Sequence, residues 1–310
     1  MIFNDVLEIR NGRNQKNVEN PDGKYPIYGS GGIMGYADDY ICEADTVIIG
    51  RKGNINNPIF VEEPFWNVDT AFGLSAKREV LLPRYLYYFC RNFDFERLNK
   101  AVTIPSLTKS DLLKIEIELP SMENQQKIVD KLSKIEQIIQ MRKQELQGID
   151  ELIKARYVEM FYDKGYPVLK WNDVFNTTTG KLDSNAAVDG GAYPFFTCSK
   201  EVLRIDDYAF EEEALLLAGN NAAGKYDVKY YSGKFNAYQR TYVLTLKENW
   251  SYRLFQYQLE DKLAYLQQQS LGGLTKYLTL KILGELEFII PPKKQQDKFD
   301  LFIKQVDKSR

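Results

Sequence analysis

The chain has no histidine among its 310 residues. That absence excludes Ser-His-Asp and Cys-His nucleophile systems and every His-ligated metal site. Cysteine is nearly as scarce, and Cys42, Cys90 and Cys198 stand far apart. They make neither a zinc ligand set nor a disulfide framework, and they fit a reducing cytoplasm. No run of about 18 apolar residues occurs, so no membrane span is expected. The opening residues, MIFNDVLEIRNG, carry charge where a secretory signal needs an apolar stretch. A positive excess is missing too: Lys and Arg total 41 against 43 Asp and Glu, a net charge of -2. A protein that coats nucleic acid through bulk charge is thereby disfavoured, although a local basic face stays open.

What is present is ordinary globular material, with 44% hydrophobic and 27% charged residues. This excludes wholesale disorder. The length suits about two domains. Aromatics reach 13%, with 21 Tyr and 17 Phe, which suits β-rich domains and polar recognition surfaces.

An internal repeat organises the chain. Tyr25-Pro26 and Tyr193-Pro194 lie 168 positions apart. Two apolar runs follow at the same spacing, Val47-Ile48-Ile49-Gly50 and Leu215-Leu216-Leu217-Ala218, and both read as buried strands. Each leads into a loop, Arg51-Lys52-Gly53-Asn54 or Gly219-Asn220-Asn221. Ser106-Leu107-Thr108-Lys109 aligns with Gly273-Leu274-Thr275-Lys276 at a spacing of 167. Strands are expected to end at Pro120 and Pro291, over 115–120 and 286–291. Gln125-Gln126 aligns with Gln295-Gln296 at 170. Helices are expected near 83–98 and 251–268. Each half therefore reads as a β-rich module followed by a helix.

The segment 121–161 has no proline and one glycine, Gly148, with Ser121 as its N-cap. Its apolar residues keep a heptad, which calls for a coiled-coil partner. One seam is Leu132, Ile139, Leu146, Ile153 and Met160. The other is Ile128, Ile135 and Ile149, with Arg142 and Arg156 in its remaining places. Those arginines either fix register or snorkel to solvent. At about 1.5 Å per residue the helix spans roughly 60 Å. The second helix, 292–310, is about half as long. If it runs antiparallel, it covers only the near half of the first and leaves Ile128, Leu132 and Ile135 for an interface.

Single motifs are weak. Gly219–Lys225 resembles a phosphate-binding loop, but Tyr226 replaces the hydroxyl that ligates magnesium, and a strand follows where a helix is required. Gly29–Gly35 misses the dinucleotide glycine spacing. No Asn/Asp-Pro-Pro-Tyr/Phe methyltransferase motif occurs, and Asp206, Asp207 and Glu211–Glu213 read as a solvated run. No catalytic or metal-ligating set is expected. Basic residues cluster locally: Lys225, Lys229, Lys234 and Arg240 interleave with Asn220, Asn221, Gln239 and tyrosines. Such residues hold phosphates and read base edges. Two similar modules joined by a helix suit a bipartite linear target such as DNA.

On these residues the chain resembles the specificity (S) subunit of type I restriction–modification systems. The resemblance rests on Tyr25–Gly32, on Leu119–Val129 with its echo Ile290–Gln296, on Asn236–Arg240, and on the order module, helix, module, helix. It implies an α+β fold with two target recognition domains in tandem, 1–120 and 165–291. Each is followed by a helix, 121–164 or 292–310, and the helices pair as an antiparallel coiled coil.

The resemblance also implies a non-catalytic cytoplasmic subunit that selects double-stranded DNA. It would act for methyltransferase subunits carrying S-adenosylmethionine and for a restriction/translocase subunit, and would hold no cofactor itself. Expected DNA contacts, by position after the apolar strands, are Arg51, Lys52, Asn54, Ser106 and Lys109, then Asn220, Asn221, Lys225, Arg240, Thr275 and Lys276. Expected partner-interface residues are Ile128, Leu132, Ile135, Ile139, Arg142 and Leu146, with a second copy of the chain as one way to complete the seam. The competing readings are a carbohydrate or peptide module using Trp66, Trp171 and Trp250, and a nuclease or methyltransferase in its own right.

Overall fold

A computed structural model describes residues 1–99, 104–222 and 224–308. The chain divides into two compact units, 1–143 and 144–310.

In the first unit the run Val47–Ile49 forms the strand Thr46–Gly50, buried at every position. A continuous apolar run bounded by turn residues suits a strand covered on both faces. It pairs antiparallel with Ile59–Val61 and Ala71–Ala76, and the latter pairs with Leu7–Asn11. Val47, Ile49, Phe72 and Leu74 face a core with Phe3, Leu86 and Phe95. Ile48 and Val61 face the other way, onto Cys42 and Phe65. A separate three-stranded sheet carries the Tyr-Pro stretch. There Tyr25–Gly29 pairs antiparallel with Gly32–Ala37 and parallel with Trp66–Asn67.

The second unit repeats this topology in register. Phe210–Ala218 pairs antiparallel with Val228–Ala237 and Thr241–Leu246, and the latter pairs with Phe175–Thr179. Ile48 opposite Gly73 matches Leu216 opposite Val243, and Ile27 opposite Trp66 matches Phe195 opposite Asn236. Here the two sheets are one sheet of six strands. The cause is local. Pro64, which has no N–H to donate, stands between Ile59–Val61 and Trp66–Asn67. Its counterpart is Lys234, inside the unbroken strand Val228–Ala237.

The expected helices form, each in two pieces: Pro83–Asn92 with the 3-10 turn Phe95–Leu98, and Tyr252–Asp261 with Leu263–Gln269. The strand expected at 286–291 is Glu287–Ile289, paired with Val168–Lys170. The one expected at 115–120 is reduced to a single bridge, Ile2 to Glu116. Its partner there is the segment 1–3, with the Ile117 N–H donating to the Met1 carbonyl at 2.8 Å and the Phe3 N–H to the Ile115 carbonyl at 2.9 Å.

Two sequence alignments shift. Leu107 and Leu278 are the buried equivalents, donating their N–H groups to the carbonyls of Arg51 (2.9 Å) and Gly219 (2.8 Å). Thr108 and Thr279 then cap equivalent short helices. Leu274 is instead exposed, so the Gly273–Lys276 match is displaced by about one turn. Likewise Gln125 matches Gln296, not Gln295. Both are 1% exposed, and both bond the N-cap N–H of the preceding helix, Leu82 (2.9 Å) or Ser251 (2.8 Å).

The long helix is Met122–Phe161, with Ser121 accepting from the Asn124 N–H at 3.4 Å. Its first part packs on Pro83–Asn92. Tyr88 bonds Ser133 (2.9 Å) and Glu136 (2.8 Å), and Arg91 pairs with Glu136. In the second unit the helix Lys293–Asp307 packs against residues 149–161 of the long helix. Phe299 meets Tyr157 and Phe161, Phe302 lies by Arg156, and Ile303 and Asp307 share a cavity with Asp150 and Ile153. Rising numbers on one helix meet falling numbers on the other, so the pairing is antiparallel. Arg156 pairs with Glu159 at 2.7 Å at the edge of this seam, and Arg142 is exposed. Ser309 and Arg310, the end of the expected distal helix, lie outside the described residues.

Candidate nucleic-acid interface

Antiparallel pairing brings alternate strand ends together. In the first unit, Leu7–Asn11 and Thr46–Gly50 end where Ile59–Val61 and Ala71–Ala76 begin. That edge collects Gly12-Arg13, Asp69-Thr70 and Arg51–Asn54. Thr70 holds the group by accepting from the Arg51 N–H at 2.7 Å. Lys52 bridges Ser106, and the Gly53 N–H reaches Pro105 at 3.0 Å. Arg51, Lys52 and Asn54 are exposed, and the Arg51 guanidinium lies 5.8 Å from the Phe72 ring. Four of the five predicted contacts of this unit therefore converge. The fifth, Lys109, donates to the Ile9 carbonyl at 2.6 Å and lines a cleft of about 600 Å³ with Arg10, Arg13 and Tyr40.

The second unit gathers Gly180-Lys181, Arg240, Asn220-Asn221 and Lys225 at the equivalent edge. The Gly219 N–H donates to the Arg240 carbonyl at 2.8 Å. Asn220 and Asn221 pair with Tyr277 and Lys276, and the Asn221 side chain accepts the Lys225 N–H at 3.3 Å. Tyr242 supports the edge from beneath, donating to the Leu278 carbonyl at 3.0 Å, and burial raises its pKa. All six predicted contacts, Thr275 included, lie at or beside this edge. Two other basic residues of the sequence cluster do not. Lys229 is paired with Asp227, and Lys234 sits over Tyr208 beside Glu211.

Sequence reasoning missed Arg10, Arg13 and Lys181. The signal was available, because Gly12-Arg13 and Gly180-Lys181 are 168 apart. Both glycines are required by close approach. A Cβ would lie 1.8 Å from the Val68 oxygen at Gly12 and 1.7 Å from the Ala237 oxygen at Gly180.

The competing chemistries find little support. Trp66 and Trp171 are buried, donating to the Arg13 carbonyl (3.0 Å) and the Thr177 hydroxyl (2.9 Å), and Trp250 stacks on Phe255. Neither Trp66 nor Trp171 presents a free ring face for a sugar. Tyr226 belongs to the core and Val228–Ala237 is a strand, so the phosphate-binding-loop geometry is missing. Burial pushes the Cys42 thiol up to about 12, away from nucleophilic use. Among the described residues no helix is long and apolar enough to cross a membrane.

Comparison with known proteins agrees with the duplication. The model of the type I restriction modification DNA specificity domain matches twice, at residues 3–151 and 163–310. A specificity subunit of the type I restriction enzyme EcoDI of Escherichia coli is 34% identical over 152 residues, 47% of this chain but only 33% of that subunit. A Mycoplasma pneumoniae protein bearing a type I specificity subunit name is 27% identical over 215 residues, 66% of this chain and 79% of the relative. The crystal structure of a type I system S subunit from M. genitalium superposes with a TM-score of 0.72 at 17% identity, covering all of this chain and 89% of that one.

Proposed function

Because the chain belongs to the type I restriction modification DNA specificity family, we propose that it reads one bipartite duplex sequence, each unit reading one half. The carrying observation is that both units offer cations and amides at the same sheet edge, with different side chains at matching places. Arg51-Lys52 stands where the second unit has Gly219-Asn220. The two halves of the target would then differ. Arg and Lys fix the phosphates, while Asn220, Asn221 and the arginines carry base-edge contacts. The chain supplies no chemistry. Methylation and cleavage fall to methyltransferase subunits, which bind S-adenosylmethionine, and to a restriction/translocase subunit, all in the cytoplasm. Those partners also contribute to neutralising phosphates, which an acidic chain does poorly.

The salt dependence of binding tests this reading against sugar or peptide recognition. With about six phosphates neutralised, log K falls with log salt at a slope near -5. A flat profile contradicts the proposal.

The assembly surface is the stripe on the long helix. Ile135, Ile139 and Leu146 are exposed and Ile128 and Leu132 half-buried, without a covering helix among the described residues. A methyltransferase subunit, or a second copy of the chain, covers it. Leu132→Asp with Ile139→Asp should abolish co-purification with a methyltransferase subunit and leave the thermal unfolding of the chain within about 2 °C. Retained co-purification contradicts the assignment.

A further inference from the structure

Leu274 is the most exposed large hydrophobic residue described, at 95%. It is held out on a braced turn. Leu271 bridges Tyr277, and Lys276 and Tyr277 pair with Asn221 and Asn220 at the edge that carries the predicted contacts. The Lys276 ammonium donates to the Gly272 carbonyl at 2.9 Å. Gly272 has φ +100, and a Cβ there would lie 2.2 Å from the Thr275 oxygen. The turn therefore needs glycine and keeps its shape without the leucine.

The first unit also exposes an aliphatic side chain beside its edge. Ile104 is 61% exposed. It stands two positions before Ser106, whose bridge to Lys52 matches the Tyr277–Asn220 pair, so its counterpart is Thr275, the neighbour of Leu274. One exposed leucine on a surface needs no explanation. An aliphatic tip within one position of the same place in both units, beside the edge where the predicted cations and amides gather, does. The loops surround each tip with groups suited to a nucleic-acid groove: Asn220, Asn221 and Lys225 in one unit, Arg51 and Lys52 in the other.

The geometry points to a wedge: Leu274, and Ile104 in the other unit, enter between adjacent base pairs of their half-sites and partly unstack them. Proteins that bend duplexes in this way insert leucine, isoleucine or phenylalanine between base steps and hold the flanks with Arg, Lys and Asn. A wedge also makes recognition depend on how easily a step opens. Flexible pyrimidine–purine steps at the insertion point are favoured over stiff A-tracts, without any hydrogen bond to the bases. The inference rests on the DNA-reading proposal above.

The test uses the full chain with a methyltransferase subunit and the duplex that this complex enriches from a random pool. 2-Aminopurine placed in turn at each adenine position reports unstacking as a rise in fluorescence. The wedge predicts a rise at one step in each half-site. Leu274→Ser should abolish the rise in the half read by the second unit and weaken specific binding about tenfold, with nonspecific binding unchanged. Leu274→Met should restore both. Enrichment with no fluorescence change at any position overturns the wedge while leaving DNA recognition intact, as does a rise that survives Leu274→Ser. Failure of the complex to enrich any sequence overturns the recognition proposal, and the wedge with it.

Discussion

Gln296→Leu should lower the unfolding free energy of the chain by about 3 kcal/mol, because it strands two buried backbone groups. The Gln296 side chain accepts the Ser251 N–H at 2.8 Å and donates to the Pro291 carbonyl at 2.8 Å. Ser251 begins the helix Tyr252–Asp261, whose Leu254 and Phe255 are fully buried. Pro291 ends the segment that leads into Lys293–Asp307. One amide thus ties the last helix of the unit to the helix that anchors its core. Leucine fills nearly the same volume, so the loss reflects unpaired polar groups and not a cavity. Each stranded group costs about 1–3 kcal/mol. Gln125 makes the same clasp with Leu82 at 2.9 Å, Val80 at 2.9 Å and Pro120 at 3.0 Å. Gln125→Leu should therefore cost a similar amount. The adjacent Gln295→Leu, outside the clasp, should cost under about 0.5 kcal/mol. Urea denaturation of the three variants decides it. A loss below about 1 kcal/mol at Gln296 contradicts the clasp.

The other large effect concerns recognition. Arg51→Ala with Lys52→Ala should reduce specific DNA affinity by roughly 30- to 1000-fold and relax only one half of the enriched sequence. Lys225→Ala with Arg240→Ala should do the same to the other half. The magnitude assumes about 1–3 kcal/mol for a cation at a base edge and a smaller uniform loss for one at a phosphate. The segregation of effects is the sharper expectation. It follows from the two edges belonging to separate units, each with its own sheet. All four residues are exposed, so folding should not confound the readout. Enrichment followed by sequencing gives both numbers at once. Equal relaxation of the two halves by either pair contradicts the assignment.

The duplication was legible in the sequence because Tyr25-Pro26, Val47–Ile49 and the proline-ended segments keep their order and spacing in the second half. Composition patterns of this kind report burial, and burial is what a repeated fold must repeat. Loops escaped the same logic. Leu274 looked like a counterpart of Leu107 because both precede Thr-Lys, yet one is exposed at a turn and the other is 3% exposed in the core. The difference is a shift of about one helical turn, which no local pattern in a glycine-rich loop reveals. The one-residue error at Gln125 has the same origin, since Gln295-Gln296 offers two equal candidates and only the bond to Ser251 distinguishes them. Arg13 and Lys181 do not follow from the apolar strands, because the close approach that requires Gly12 and Gly180 beside them exists only in the folded chain. The fusion of two sheets into one in the second unit depends on Lys234 standing where the first unit has Pro64, a difference visible only once the halves are aligned. The long helix was read correctly as an element, from Ser121 onward. What its heptads could not convey is that its first part serves the first unit, through Ser133 and Glu136, and its last part the second.

The measurement that bears most directly on the central claim is enrichment of duplexes from a fully random pool by the complex of this chain with a methyltransferase subunit. Two short fixed blocks of different sequence, separated by a spacer of constant length and undefined bases, are the predicted result. A single block, two identical blocks, or no enrichment would contradict the view that each unit reads its own half of one target.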